Sequence, residues 1–172
     1  MKIDPTGHPM MSQEEVAIID ELIEERKPKV CLEWGSGNST IYFPKKHECI
    51  KSWVSIEDLG GYVKYLSPKM DREKVTLMWV PDNEWYIDCV KHQGKKYDFI
   101  LVDGVDGHRE ACLDLAITEL AKKGAMVLLH DSGREEYQPF IKRHRKKAQK
   151  LSEGEKKIGE YYAHRGLTLF KV

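Results

Sequence analysis

No apolar run in this chain approaches the roughly 20 residues that would span a bilayer, and no excess of one charge marks it for a polyanion. Lys plus Arg equals Asp plus Glu at 28 each, so no global field points to nucleic acid or an anionic membrane. Residues 1–11 lack the basic-then-apolar pattern of a secretory signal. Cys31, Cys49, Cys89 and Cys112 are widely spaced, with no Cys-x-x-Cys pair and no Cys/His cluster. Zinc is therefore not expected, and reduced thiols in a cytoplasm are. There is no internal repeat and no low-complexity linker. With 172 residues, 41% of them hydrophobic, the expectation is one domain over residues 1–172: an N-terminal helix in 1–28, a core in 29–131, and a C-terminal helix and strand pair in 132–172.

What is present centres on residues 30–40, VCLEWGSGNST. A short apolar run ends in the carboxylate of Glu33 and passes at once into Gly35, Ser36, Gly37, Asn38 and Ser39. Glycines at a strand end let the backbone approach a ligand, because Gly tolerates positive φ and has no side chain in the way. A helix starting at Ser39 or Thr40 would aim its unpaired N–H groups into the same space. This is a nucleotide-cradle pattern, although a plain β-α turn gives the same residues. The dinucleotide fingerprint Gly-x-Gly-x-x-Gly is incomplete, since Thr40 stands at the third glycine. A nicotinamide-type oxidoreductase is disfavoured on that ground. Glu57 ends a second apolar run about 20 residues on, the spacing of a ribose-binding acid.

In order, the chain alternates helix and strand. Ser12 and Glu15 form a capping-box pattern, and Val16, Ile19, Leu22 and Ile23 recur at helical spacing until Pro28. Strands are expected at 29–33, 53–57, 75–80, 98–103 and 125–130, with a further β-rich stretch at 167–172. Helices are expected after the glycine turn, ended by Pro44, at 60–70, at 107–122 with Ala111, Leu115, Thr118 and Leu120 facing inward, and at 134–147 with Pro139 in its first turns or at a kink. Residues 81–96 read as a loop with a short helix around 85–92. Five β-α units and a terminal strand pair predict an α/β fold, a three-layer α/β/α sandwich. Ligands of such sheets bind outside the carboxyl ends of the strands. The residues there are Glu33, Glu57, Asp82, Asp103, His130 and Asp131.

The acid-x-Gly-x-Gly turn followed by a distal acid resembles motif I and the second-strand acid of the class I S-adenosylmethionine-dependent methyltransferases. Residues 98–131, DFILVDGVDGHREACLDLAITELAKKGAMVLLHD, look like the fourth and fifth strands of the small-molecule group in that family. The matching positions are Asp103, Gly104, His108, Asp114, Leu115, Gly124, His130 and Asp131. Lys123 and Ala125 depart from the family's usual Pro-Gly-Gly. The resemblance covers roughly residues 30–131 and implies a Rossmann-like, mostly parallel seven-stranded sheet with a terminal antiparallel strand. It implies S-adenosylmethionine as cofactor and a small-molecule acceptor methylated on O or N. Glu33 and the backbone of Gly35 to Ser39 would hold the methionine part, Glu57 both ribose hydroxyls, and Asp58 the adenine edge. Asp82 would reach the exocyclic amine, or is a turn residue after Pro81, while Asp103 and Gly104 complete the cofactor set. Asp131, His130 and His108 are the candidate catalytic groups.

Other features carry two readings each. Asp103 and Asp131 could bind a divalent metal, as in catechol O-methyltransferase-like enzymes, but Ser132 stands where that pattern has Asn or Asp. The basic run over 142–150 is an RNA-binding face or a solvated helix, and without interleaved aromatics the latter is expected. The absence of an Asn/Asp-Pro-Pro-Tyr motif argues against base methylation of nucleic acid. Trp34, Trp79 and Trp85 line a pocket or pack in the core. Few residues precede the first strand, so a lid would come from 81–96 or from a second subunit of a homo-oligomer. A non-catalytic binding or assembly module that keeps the fold is the alternative to an enzyme.

Overall fold

The computed structural model describes residues 7–81, 83–153 and 166–172. The first helix, α1 (Gln13–Arg26), starts on the full capping box, with Ser12 and Glu15 each satisfying a backbone N–H of the other. It ends at Lys27 in the left-handed conformation, one residue before Pro28. Then come β1 (Val30–Trp34), α2 (Asn38–Lys46), β2 (Ser52–Glu57), α3 (Gly60–Leu66), β3 (Val75–Trp79), the short α4 (Glu84–Asp88) and β4 (Tyr97–Val102). α5 (Arg109–Leu115) runs on as a π turn at Ala116–Leu120 and leads into β5 (Ala121–His130). α6 (Gln138–Arg143), β6 (Ala148–Ser152) and β7 (Leu167–Lys171) complete the described elements.

The seven strands lie in the order β3-β2-β1-β4-β5-β7-β6. β1 pairs in parallel with β2 and β4, as do β2 with β3 and β4 with β5, and β7 alone runs antiparallel to its neighbours. The expected mostly parallel sheet with a terminal antiparallel strand is what forms.

Strand residues alternate between two separate cores. Phe99, Leu101, Met126 and Leu128 join Ile19, Ile23 and Phe43 of α1 and α2 on one face. Ile100, Val102, Val127 and Leu129 join Tyr86, Cys112, Ala116 and Phe140 on the other. A strand buried on both sides can be apolar at every position, which is why β4 and β5 read as unbroken runs.

Three local expectations need correction. The helix after the glycine turn continues two residues beyond Pro44. A proline removes one N–H, here the partner of the carbonyl four residues back, and the helix closes within that turn through the His47 N–H to Phe43. On α5 and its π turn Leu115 and Leu120 are buried as expected, together with Arg109, Cys112, Leu113 and Ala116, while Ala111 and Thr118 are exposed. A 3-10 turn at Asp106–His108 delays the helix start and sets its rotation. The basic helix stops at Arg143, with Pro139 in its first turn, where a missing N–H costs nothing.

Candidate functional site

Outward from the centre, the strand order reverses between β1 and β4, and the crevice at their carboxyl ends is where such sheets bind ligands. The glycine turn fills it. Gly35 has φ +89°, and a Cβ there would lie 2.4 Å from the Asp103 carbonyl oxygen. The two strand ends meet backbone to backbone, with the Asp103 N–H donating to the Trp34 carbonyl at 2.8 Å.

Glu33 is completely buried beneath this turn. Its carboxylate accepts from Ser39 Oγ (2.5 Å), Thr40 Oγ1 (2.6 Å), Ser55 Oγ (2.7 Å) and Trp53 Nε1 (3.0 Å). Burial pushes its pKa up and those four donors oppose the rise. Glu33 was expected to hold a ligand; it does not line the cleft, and its hydrogen bonds tie the start of α2 to β1 and β2.

Glu57, at the end of β2, faces the cleft. One carboxylate oxygen accepts the Ser36 N–H at 2.7 Å and the other the Leu59 N–H at 3.0 Å. Burial outweighs both hydrogen bonds and raises its pKa to about 7, with Asp58 and Glu33 adding repulsion. The cleft encloses about 510 Å³, within the range of small-molecule sites. Its wall contains residues 35–39, Glu57 with Asp58, Asp103 with Gly104, and His130 with Asp131. Asp82 lies outside the described residues.

His130 ends β5 and is buried, with Nδ1 2.9 Å from Asp103 Oδ1 and Nε2 3.5 Å from Glu15 Oε2. Burial alone would lower its pKa. The adjacent Asp103, with Glu15 and Asp131 in support, overrides that and raises it to about 10. The carboxylates of Asp103 and Glu15 on its two ring nitrogens favour the protonated ring, which speaks against His130 as a general base. The partner carboxyl of Glu15 is correspondingly lowered to about 2. His108 does not line the cleft: its ring stacks on Tyr86, centroids 5.8 Å apart.

Asp131 does line it, in the left-handed conformation at φ +56°. Asp tolerates that region better than most residues because its short side chain can bond locally. Its Oδ2 faces Arg134 Nη2 and lies 3.6 Å from Arg109 Nη1.

Sequence reasoning missed both arginines. Arg109, almost fully buried in the first turn of α5, donates to the carbonyls of Gly104 (2.8 Å), His130 (3.0 Å) and Asp103 (3.1 Å). It thereby clips the ends of β4 and β5 together. Its one available signal was position, directly after the Asp-Gly…His segment. Glu15 was seen only as a helix cap, yet the same carboxylate reaches His130 and accepts from Ser152 Oγ at 3.2 Å.

The N-terminal segment is also part of the wall, through Met10 and Met11. The Asn38 side-chain amide holds it by donating to the His8 carbonyl at 2.8 Å. No described residue of 81–96 lines the cleft, so the expectation of a lid from that loop finds no support among the described residues. Trp34 is buried in a core, while Trp79 and Trp85 are exposed and do not line the cleft, although Trp79 Nε1 donates to the carbonyl of Asp58 at its edge.

No protein-family model matches the chain, and no curated protein matches it in sequence. Solved structures do. The O-methyltransferase TomG from Streptomyces achromogenes, in complex with SAM, superimposes with a TM-score of 0.70 at 16% identity, over 94% of this chain and 81% of that one. The O-methyltransferase from Bacillus cereus, in complex with SAH, gives 0.71 at 14% identity over 92% and 80%. A methyltransferase-like protein from Silicibacter pomeroyi gives 0.57 at 18% identity over 95% and 88%. At these identities the likeness speaks for architecture, and the chain has the Rossmann-like fold of the class I methyltransferases.

Proposed function

We propose that this chain is an S-adenosylmethionine-dependent methyltransferase acting on a small-molecule acceptor, with oxygen favoured as the methylated atom by the names of its structural neighbours. The observation that carries the reading is Glu57: a cleft-facing carboxylate at the end of β2, tied to the glycine turn by the Ser36 N–H. A carboxylate so placed can accept both ribose hydroxyls. The residues fit the cofactor. Gly35 leaves the turn open where any side chain would collide with Asp103, residues 36–39 line the cleft where the methionine part would lie, and Asp58 stands beside Glu57 for the adenine edge. Asp103 and Gly104 form the wall next to the turn, and Asp82 remains a candidate for the exocyclic amine.

When bound, the cofactor supplies a methyl group made electrophilic by its sulfonium. The chain's task is then orientation and proton handling. With His130 set between the carboxylates of Asp103 and Glu15 and the His108 ring stacked on Tyr86, Asp131 is the group we assign to orient the acceptor and take its proton. Arg109 and Arg134 fix the carboxylate's position. Met10 and Met11 add apolar surface to the wall of the cleft.

Glu57→Gln tests the reading at its centre. It keeps the shape, retains one acceptor oxygen and cancels the charge. S-adenosylhomocysteine affinity, measured by calorimetry at pH 8, should fall by about 1.5–3 kcal/mol, the range for hydrogen bonds to a charged group. The Glu57 carboxyl sits at about 7 in the ligand-free protein, and binding uses its ionised form. Affinity of the unaltered chain should therefore rise as pH climbs through 7, and the variant should lose that dependence. Equal affinities in a folded variant would mean that β2 does not end at the ribose.

A further inference from the structure

The family that this fold resembles includes enzymes that hold a divalent ion at the ends of the fourth and fifth strands. The residues present here do not fit one. Asp103, Asp106 and Asp131 converge on one side of the cleft, but two guanidinium groups already lie among them. Arg109 Nη2 is 3.1 Å from Asp103 Oδ1 and 3.5 Å from Asp106 Oδ1, and its Nη1 is 3.6 Å from Asp131 Oδ2. Arg134 Nη1 is 2.7 Å from Asp106 Oδ2, and its Nη2 faces Asp131 Oδ2. His130 Nδ1 shares the same Asp103 Oδ1 with Arg109, at 2.9 Å.

The third position fails as well. Ser132 is buried off the cleft, where its hydroxyl accepts from Thr168 Oγ1 at 2.9 Å and its carbonyl accepts from Gln138 Nε2 at 2.7 Å. Among the described residues no group of three or more His, Cys, Asp or Glu is arranged to hold a metal. A divalent ion would need carboxylate oxygens at roughly 2.0–2.6 Å in the space that two fixed cations already claim. Their mutual repulsion at such distances is severe in a half-buried site.

We propose that Arg109 and Arg134 are the built-in cations of this site, standing where a divalent ion would otherwise neutralise Asp103, Asp106 and Asp131. The two arginines divide the work. Arg109 is buried and spends its donors on the backbone of both strand ends, so it acts as a positioning residue. Arg134 has a side chain 21% exposed and lines the cleft, so it is the cation an acceptor meets. A guanidinium offers a planar fork of hydrogen-bond donors and cannot be chelated. The acceptor class that follows is one recognised through a single hydroxyl or oxyanion by hydrogen bonds, with no requirement for two adjacent oxygens. This last step rests on the proposed methyltransferase reading, whereas the cation assignment does not.

The test uses the full chain and Mg²⁺, Ca²⁺ and Mn²⁺ as probes. Thermal midpoints of the unaltered chain should be the same in millimolar cation and in EDTA. Arg134→Gln removes one cation and leaves Asp106 and Asp131 with less neutralisation, so it should gain a midpoint rise of a few degrees in millimolar Mg²⁺ or Mn²⁺. Solvent-water relaxation in Mn²⁺ should report the new site directly in the variant and not in the parent. Cation-dependent stabilisation of the unaltered chain would overturn the proposal, and needs no variant to fold. So would a folded Arg134→Gln that remains blind to all three ions. S-adenosylhomocysteine binding, measured in parallel, reports on the cofactor reading separately: its absence sinks that reading and leaves the cation result standing.

Discussion

Gly35→Ala should cost this protein roughly 3 kcal/mol or more of stability and abolish cofactor binding. The left-handed backbone alone is worth about 1–2 kcal/mol against a residue with a Cβ. The larger part is steric, because the new atom would sit 2.4 Å from the Asp103 carbonyl oxygen and 2.6 Å from Gly104 Cα. Neither neighbour is a flexible side chain, so β1 and β4 must separate at their ends, which places the change among the severe backbone and overpacking mutations. Gly37→Ala is the internal control. Its backbone is extended and a Cβ there meets only Ser39 Oγ at 3.8 Å, so stability should hardly change. Chemical denaturation of the two variants measures the contrast. Two equal, small losses would mean that the strand ends do not approach as closely as described.

Asp131→Asn should lower methyl transfer by roughly 10²-fold or more, the usual weight of a general acid-base group, while cofactor affinity changes by less than about 1 kcal/mol. Asn is the informative substitution because it too tolerates the left-handed region at φ +56°. It preserves the shape and removes the charge that takes a proton and balances Arg134. If the variant loses cofactor binding and keeps its residual rate, Asp131 belongs to the cofactor's surroundings. If stability alone falls, the carboxylate serves only to tie Arg109 and Arg134 to the end of β5.

The parallel sheet was legible because its central strands are apolar on both faces and each ends in a charged residue. Glu57, Asp103 and Asp131 could be read as cleft residues from chain position alone. Position could not reveal what surrounds each carboxylate. Glu33 looks as exposed as Glu57 in the sequence, yet Ser39, Thr40, Trp53 and Ser55 close around one and leave the other in the cleft. Four donors, two from the start of α2 and two from β2, decide that difference. The surroundings of His130 were hidden for the same reason, since besides the neighbouring Asp103 they include Glu15, 115 positions earlier, arriving from the cap of α1. Arg109 and Arg134 were invisible as site residues because single arginines in polar helix starts carry no pattern. Met10 and Met11 reach the cleft wall from a segment with no pattern in the sequence, tied there by the bond from Asn38 to the His8 carbonyl.

The most direct test is a calorimetric titration of the full chain at pH 8 with S-adenosylmethionine and, separately, with NAD. The account predicts saturable binding of the first, close to one per chain and weaker at pH 6 as Glu57 takes up its proton, with no heat from the second. Saturable NAD binding, or no binding of S-adenosylmethionine up to millimolar concentration by a folded protein, would contradict it.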